Sequence, residues 1–323
     1  MLKQRDVPHT LSEAIRFFAD PDAAFEFVVH LRWPNGVVCP HCAAENPSLI
    51  RTRRLWKCRA CRKQFSVKVG TIFEDSPLGL DKWLPALWMI ANAKNGISSY
   101  EVHRALGVTQ KTAWFMLHRI RLAMQAKSFE RFAGDVEVDE TYIGGLAKFM
   151  HKSRRKRMIT GRGAGKDNAD KTAIMGMLER KKGGKSSRVR ATVIKSTRKG
   201  PMQAHIRETV CEGATLNTDQ HWSYRGMEPD YVHAVIDHAI AYVRDNCHTN
   251  TLENFWSLLK RTIKGTYVSV DPGHLSRYVD EQVYRFNARK GTDRTRFLDV
   301  VRGIIGKRLT YQGLISDGEL QTC

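Results

Sequence analysis

Two short cysteine pairs, Cys39-Pro40-His41-Cys42 and Cys58-Arg59-Ala60-Cys61, stand fifteen residues apart in a chain of 323 residues. This spacing constrains the chain more than any other feature. Each pair is a knuckle that turns both of its sulfurs toward one ion, and four thiolates close a tetrahedral Zn²⁺ site. Four protein ligands leave no open coordination position, so the ion expected on Cys39, Cys42, Cys58 and Cys61 is structural. His41 is not needed as a ligand. Strand-like runs flank the second knuckle, RLWKC and KQFSVKV, and make residues 31–72 a zinc ribbon. The remaining cysteines, Cys211, Cys247 and Cys323, are scattered. An odd count of seven argues against a disulfide framework and for a reducing, cytoplasmic setting.

The second knuckle is surrounded by cations: Arg51, Arg53, Arg54, Lys57, Arg59, Arg62 and Lys63. The whole chain carries a net charge of +20, with a pI near 9.8. A charge of that size predicts a polyanionic partner, through long-range attraction and counterion release. A membrane surface is the competing polyanion. The longest apolar run, WLPALWMIANA (83–93), is too short to span and contains Pro85. Nucleic acid is therefore expected, and with it a nucleoid-associated location. Residues 148–199 hold 18 Lys or Arg against 3 Asp or Glu. Their first part, about 148–170, is Gly-rich and aperiodic. It reads as a basic loop against DNA backbone, or more plainly as a solubilising insert.

Residues 1–30 contain two short helical patterns, capped by Thr10 or Ser12 and by Asp20 or Asp22. Residues 78–128 read as a helical bundle. Within it, SSYEVHRAL-GV-TQKTAWFMLHRIR has the helix, glycine turn, helix form of a helix-turn-helix. Gly107 permits the turn and Thr109 caps the second helix. Ala113, Leu117, Ile120 and Met124 are expected to face the core. Lys111 and His118 are expected to face outward, with Arg119 and Arg121 at the flanks, as DNA contacts. Arg54, Lys57 and Arg62 are the corresponding contacts on the ribbon. A bundle that merely links two domains is the plainer alternative.

From about 134 to 310 strands alternate with helices. Three carboxylates stand out. Asp139 lies in VEVDETYIGG, on the same strand face as Glu137. Asp219 ends the run ATLNTD. Glu253 lies on HTNTLENFWSLLKR (248–261), whose apolar face is Leu252, Phe255, Trp256 and Leu259. Its opposite face carries Asn250, Glu253, Ser257 and Lys260, with Lys264 beyond. Hard Mg²⁺ or Mn²⁺ ions prefer such oxygen ligands, and two ions held close together serve phosphodiester chemistry. Singly, each acid has a plainer use. Asp219 serves as a turn residue or helix cap, and Glu253 as a lysine's partner. Trp222 and Trp256 read as core rather than base-stacking residues, and His221 as surface rather than phosphate-binding.

VDETYIGG, LNTD and HTNTLENFWSLLKR together resemble the DDE transposases of bacterial insertion sequences, in particular the ISXO-type group with an N-terminal zinc ribbon. The resemblance extends over nearly the whole chain. It implies an RNase H-like mixed sheet with flanking helices, added to the ribbon and the helix-turn-helix bundle. It implies binding of terminal repeats, cleavage at element ends and transfer of the 3′-OH strand to target DNA. It implies two Mg²⁺ ions on Asp139, Asp219 and Glu253, with Lys260, Arg261 and Lys264 near the reacting DNA. Some members of the group have Asn as the third residue, and Asn250 lies one turn before Glu253. Glu253 is preferred on charge. Chemistry at paired ends implies a homodimer or higher assembly. Two other readings share these features: a non-catalytic DNA-binding protein derived from such an enzyme, and a metal-dependent nuclease without strand transfer.

Overall fold

The computed structural model describes residues 7–125, 130–144, 171–180, 186–236 and 249–316. The basic loop about 148–170 and residues Cys247, His248 and Cys323 lie outside them. The chain divides into two compact units, 1–125 with 291–323, and 126–290.

In the first unit, helix α1 (Leu11–Ala19) is capped by Thr10, whose hydroxyl accepts the Glu13 amide, and α2 (Pro21–Arg32) by Asp20. The cap roles therefore fall to Thr10 and Asp20. The ribbon is a three-stranded antiparallel sheet, β1 (Ser48–Ile50), β2 (Leu55–Lys57) and β3 (Gln64–Ser66). Strands of three residues have little hold of their own. Here Trp56 stacks on Phe25 of α2 at 5.2 Å and on Phe65 at 5.8 Å. Then come α3 (Leu80–Asn92), α4 (Ser99–Leu106) and α5 (Gln110–Met124). Ser98 and Glu101 form a reciprocal capping box at the start of α4, and Gly107 ends it at φ +64°. Thr109 caps α5. The helix-turn-helix expectation holds at each of these positions.

The last two described helices, α9 (Asp293–Arg302) and α10 (Tyr311–Ile315), belong to this first unit. Phe297 packs among Phe18, Phe27 and Trp88 with ring centroids 5.0–5.9 Å apart. The sequence reading extended the strand-and-helix domain from 134 to 310, whereas the aromatic side of α9 draws 291–316 to the N-terminal helices.

The second unit is a five-stranded sheet in the order β6-β5-β4-β7-β8, with β4 (Asp135–Ile143), β5 (Thr172–Glu179), β6 (Arg188–Ile194), β7 (Thr215–Asp219) and β8 (Val232–Ile236). The first three pair antiparallel, and β7 and β8 add in parallel beside β4. This is the RNase H-like mixed sheet that the family resemblance implies. Alternation sends Val136, Val138, Met175, Met177 and Leu216 to one face, against Met202 and Ile206 of α6 (Lys199–Thr209). Ile174, Leu178 and Val189 face the other way, against α7 (Asn250–Thr262) and α8 (Leu275–Asn287). On α7 the residues Leu252, Phe255, Trp256 and Leu259 recur at helical spacing and are buried, each contributing roughly 1.5–3 kcal/mol or more.

Candidate active site

The four cysteine sulfurs lie within 4.8 Å of one another. Both knuckles aim a backbone amide at their first sulfur. The His41 amide donates to Cys39 Sγ and the Cys61 amide to Cys58 Sγ, each at 3.4 Å. The fourth residue after each first cysteine, Ala43 and Arg62, is left-handed, at φ +59° and +64°. Amide donors aimed at sulfur favour thiolate, and the donor set fits Zn²⁺.

Parallel pairing sets Asp135, Val136 and Glu137 beside Thr215, Leu216 and Asn217 and ends there. Asp219 closes β7 two residues further on, near enough for its charge to act on both Asp139 and Glu140. Asp139 is on the side of the sheet that faces α7. Two hydrogen bonds tie this helix to β4. The Leu252 amide donates to Glu137 Oε2 at 2.8 Å, and Trp256 Nε1 donates to Asp139 Oδ2 at 3.0 Å. Glu253 sits between these ties, exposed, and accepts from Thr249 Oγ1 at 3.2 Å. Asn250, the first residue of the helix, is exposed too. The close approach depends on Gly176, which pairs with Asp139 across β5. A Cβ there would stand 2.5 Å from the Trp256 ring and 3.0 Å from Leu252.

The environment of Asp139 disfavours its charge. Burial raises its pKa to about 7, the charges of Glu140 and Asp219 add to this, and the Trp256 bond opposes it. Glu140, on the other face, is also raised by burial and by Asp219, against a 2.6 Å bond from Tyr224. Asp219 Oδ1 accepts the His221 amide at 3.0 Å, so this acid does serve its own turn. Desolvated acids that repel one another gain from a cation between them. Among the described residues, the four cysteines are the one set of three or more ligand-type side chains with donor atoms within 4.8 Å of each other. Asp139, Asp219 and Glu253 do not form such a set.

Residues 131–287 match the family model of the ISXO2-like transposase domain, and residues 19–64 that of the transposase zinc-ribbon domain. The chain carries an ISXO2-like transposase domain behind a transposase zinc ribbon. It is also similar to a Halobacterium salinarum protein described as an uncharacterized protein in transposable element ISH50. The two are 26% identical over 255 residues, 76% of this chain and 84% of the relative. No described helix is long and apolar enough to cross a membrane.

Within the transposase domain, Lys260 and Arg261 are exposed in the last turn of α7. Lys264 follows on a π turn, Ile263–Tyr267, which stops at Val268 with φ +62°. In the first unit Lys57 and Arg62 are exposed, and Arg54 is half exposed and paired with Asp22 at 2.6 Å. Lys111 is exposed, its ammonium 4.8 Å from the Tyr311 ring.

Three expected DNA contacts are corrected. His118, Arg119 and Arg121 are buried, with at most 4% exposure. Arg119 donates to the backbone carbonyls of Ile72, Glu74 and Leu309 at 2.8–3.0 Å, which makes it a tie inside the first unit. His118 lies edge-on to Trp114 at 4.5 Å. The tryptophans also divide. Trp256 is core, as expected, while Trp222 is 52% exposed.

The sequence reading missed the partners of the acids. Glu137 is fully buried and paired with Arg180 at 2.8 Å. A carboxylate on the buried face of a strand requires such a partner, and that was the available signal. A lone glycine in KTAIMGMLER was the signal for close helix approach at Gly176. Nothing in the pattern announced Tyr224 on Glu140.

Proposed function

We propose that the chain binds the terminal repeats of its element, cleaves at the element ends and joins the freed 3′-OH strand to target DNA. The observation that carries this reading is the bond from Trp256 to Asp139, which sets the helix that bears Glu253 beside β4, with Asp219 near enough for its charge to act on Asp139. Asp139, Asp219 and Glu253 would hold two Mg²⁺ or Mn²⁺ ions. When bound, such ions activate the attacking oxygen and stabilise the leaving one. The protein's own contribution is placement. Glu137 and Trp256 fix α7 on β4, so that Glu253 stands one residue from one tie and three from the other. Bound cations would relieve the repulsion between Asp139 and Asp219. Lys260, Arg261 and Lys264 would meet phosphates near the reacting end. The basic face of the ribbon and the exposed start of α5, with Lys111, would bind the repeat. Two ends reacting together call for a homodimer or larger assembly.

The choice of third ligand has a direct test. Joining of pre-cut ends is expected to be lost in Glu253→Gln and retained in Asn250→Ala. The reverse pattern would assign the position to Asn250.

A further inference from the structure

A second binding feature lies beside Asp219. Trp222 is 52% exposed, an uncommon state for the largest apolar side chain. It is not on a loose loop. The turn before it is held by the His221 amide on Asp219 Oδ1. Behind it, Ser223 Oγ donates to the Thr197 carbonyl at 2.8 Å. Gln203 of α6 donates to the carbonyls of Ser223 and Arg225 at 3.1 and 3.0 Å, and the buried Tyr224 bonds Glu140. Both neighbours of the indole are therefore anchored while the ring itself stands in solvent, 6.0 Å from the His221 ring. A cleft of about 280 Å³ opens next to this turn. Asp219, His221, Arg225 and His233 are among its lining residues.

We infer that Trp222 is the stacking face for an unpaired nucleobase of the DNA end, one that has left the duplex beside the phosphate handled at Asp219. The indole supplies a flat, pre-positioned surface that accepts any base. The cleft supplies room beside it, with Arg225 and the His221 imidazole facing the nucleotide, while His233 is held by Thr218 and by Glu228, an acid of the lining. Stacking so close to Asp219 holds the strand open where its backbone must be reached. The inference rests on the proposed DNA-end chemistry but concerns a contact that the carboxylates do not make.

The test uses the full chain and two DNAs, a blunt duplex and the same duplex with a short 3′ extension containing 2-aminopurine. Wild-type protein is expected to prefer the extended DNA and to quench the 2-aminopurine. Trp222→Ala is expected to lose the quenching and to reduce the extended-to-blunt affinity ratio about 5- to 150-fold, with blunt-duplex binding unchanged. Trp222→Phe is expected to keep part of both signals. Equal quenching and an equal ratio in wild type and Trp222→Ala would overturn the stacking role, as would wild-type binding without any quenching. Failure of the wild type to bind either DNA would overturn the underlying reading instead.

Discussion

At the scale of single residues, the proposed chemistry puts weight on one bond between an indole and a carboxylate. Trp256 fixes one oxygen of Asp139 and leaves the other accepting the Glu140 amide at 2.8 Å. Trp256→Phe keeps most of the ring in the core but removes the donor. Loss of such an outer partner typically costs about 10- to 100-fold in metal affinity. Mn²⁺ titration of this variant should show a shift in that range, with the thermal midpoint nearly unchanged. An unshifted titration would demote the bond to packing. The raised pKa of Asp139 gives a second expectation. Its ordinary value is 3.8 and its folded value about 7. Between these the folded chain binds a proton that the unfolded chain has released, so the metal-free protein loses stability as pH rises through that window. A cation must displace the same proton. Mn²⁺ affinity by calorimetry should rise up to about tenfold per pH unit toward 7 and flatten above it. Affinity independent of pH would contradict this assignment.

At the scale of elements, the ribbon depends on its metal and the sheet does not. Three strands of three residues cannot persist without the thiolate cluster, despite the Phe25, Trp56 and Phe65 stack. Cys58→Ser should lose bound zinc and weaken end binding about tenfold or more at moderate salt. The β4–β8 sheet should stay folded by far-ultraviolet circular dichroism. Undiminished end binding would remove the DNA role assigned to the ribbon. These elements were also the most legible part of the sequence. Cysteine spacing, strand alternation around Val136 and Val138, the caps at Ser98 and Thr109, and the apolar stripe of α7 are local signals, each set by neighbouring residues. The burial of Arg119 was not legible, because its partners Ile72, Glu74 and Leu309 lie 45 to 190 residues away. The different fates of Trp222 and Trp256 were hidden for the same reason. Both sit among helix-compatible residues, and only the packed sheet shows which one has a surface to cover. Asp139 and Asp219 could be named from sequence, but their nearness follows from β7 adding in parallel beside β4.

At the scale of the whole molecule, the +20 charge divides into parts with different work. Some cations are consumed inside the units, as Arg119 and Arg180 are. Others, around the second knuckle and at the end of α7, remain on the surface where phosphates can reach them. Acidic groups in such a protein need a reason to stand near one another, and a cation between Asp139 and Asp219 would supply one. That is the central claim, and joining of a pre-cut 3′-OH end to target DNA tests it most directly. The DNA ends would come from the sequence flanking the protein's own coding region, with wild type compared to Asp139→Asn and Asp219→Asn in Mg²⁺. The predicted result is joining by the wild type and none by either variant, with end binding intact in all three. Joining that survives either substitution, or wild-type end binding without any joining at all, would contradict it.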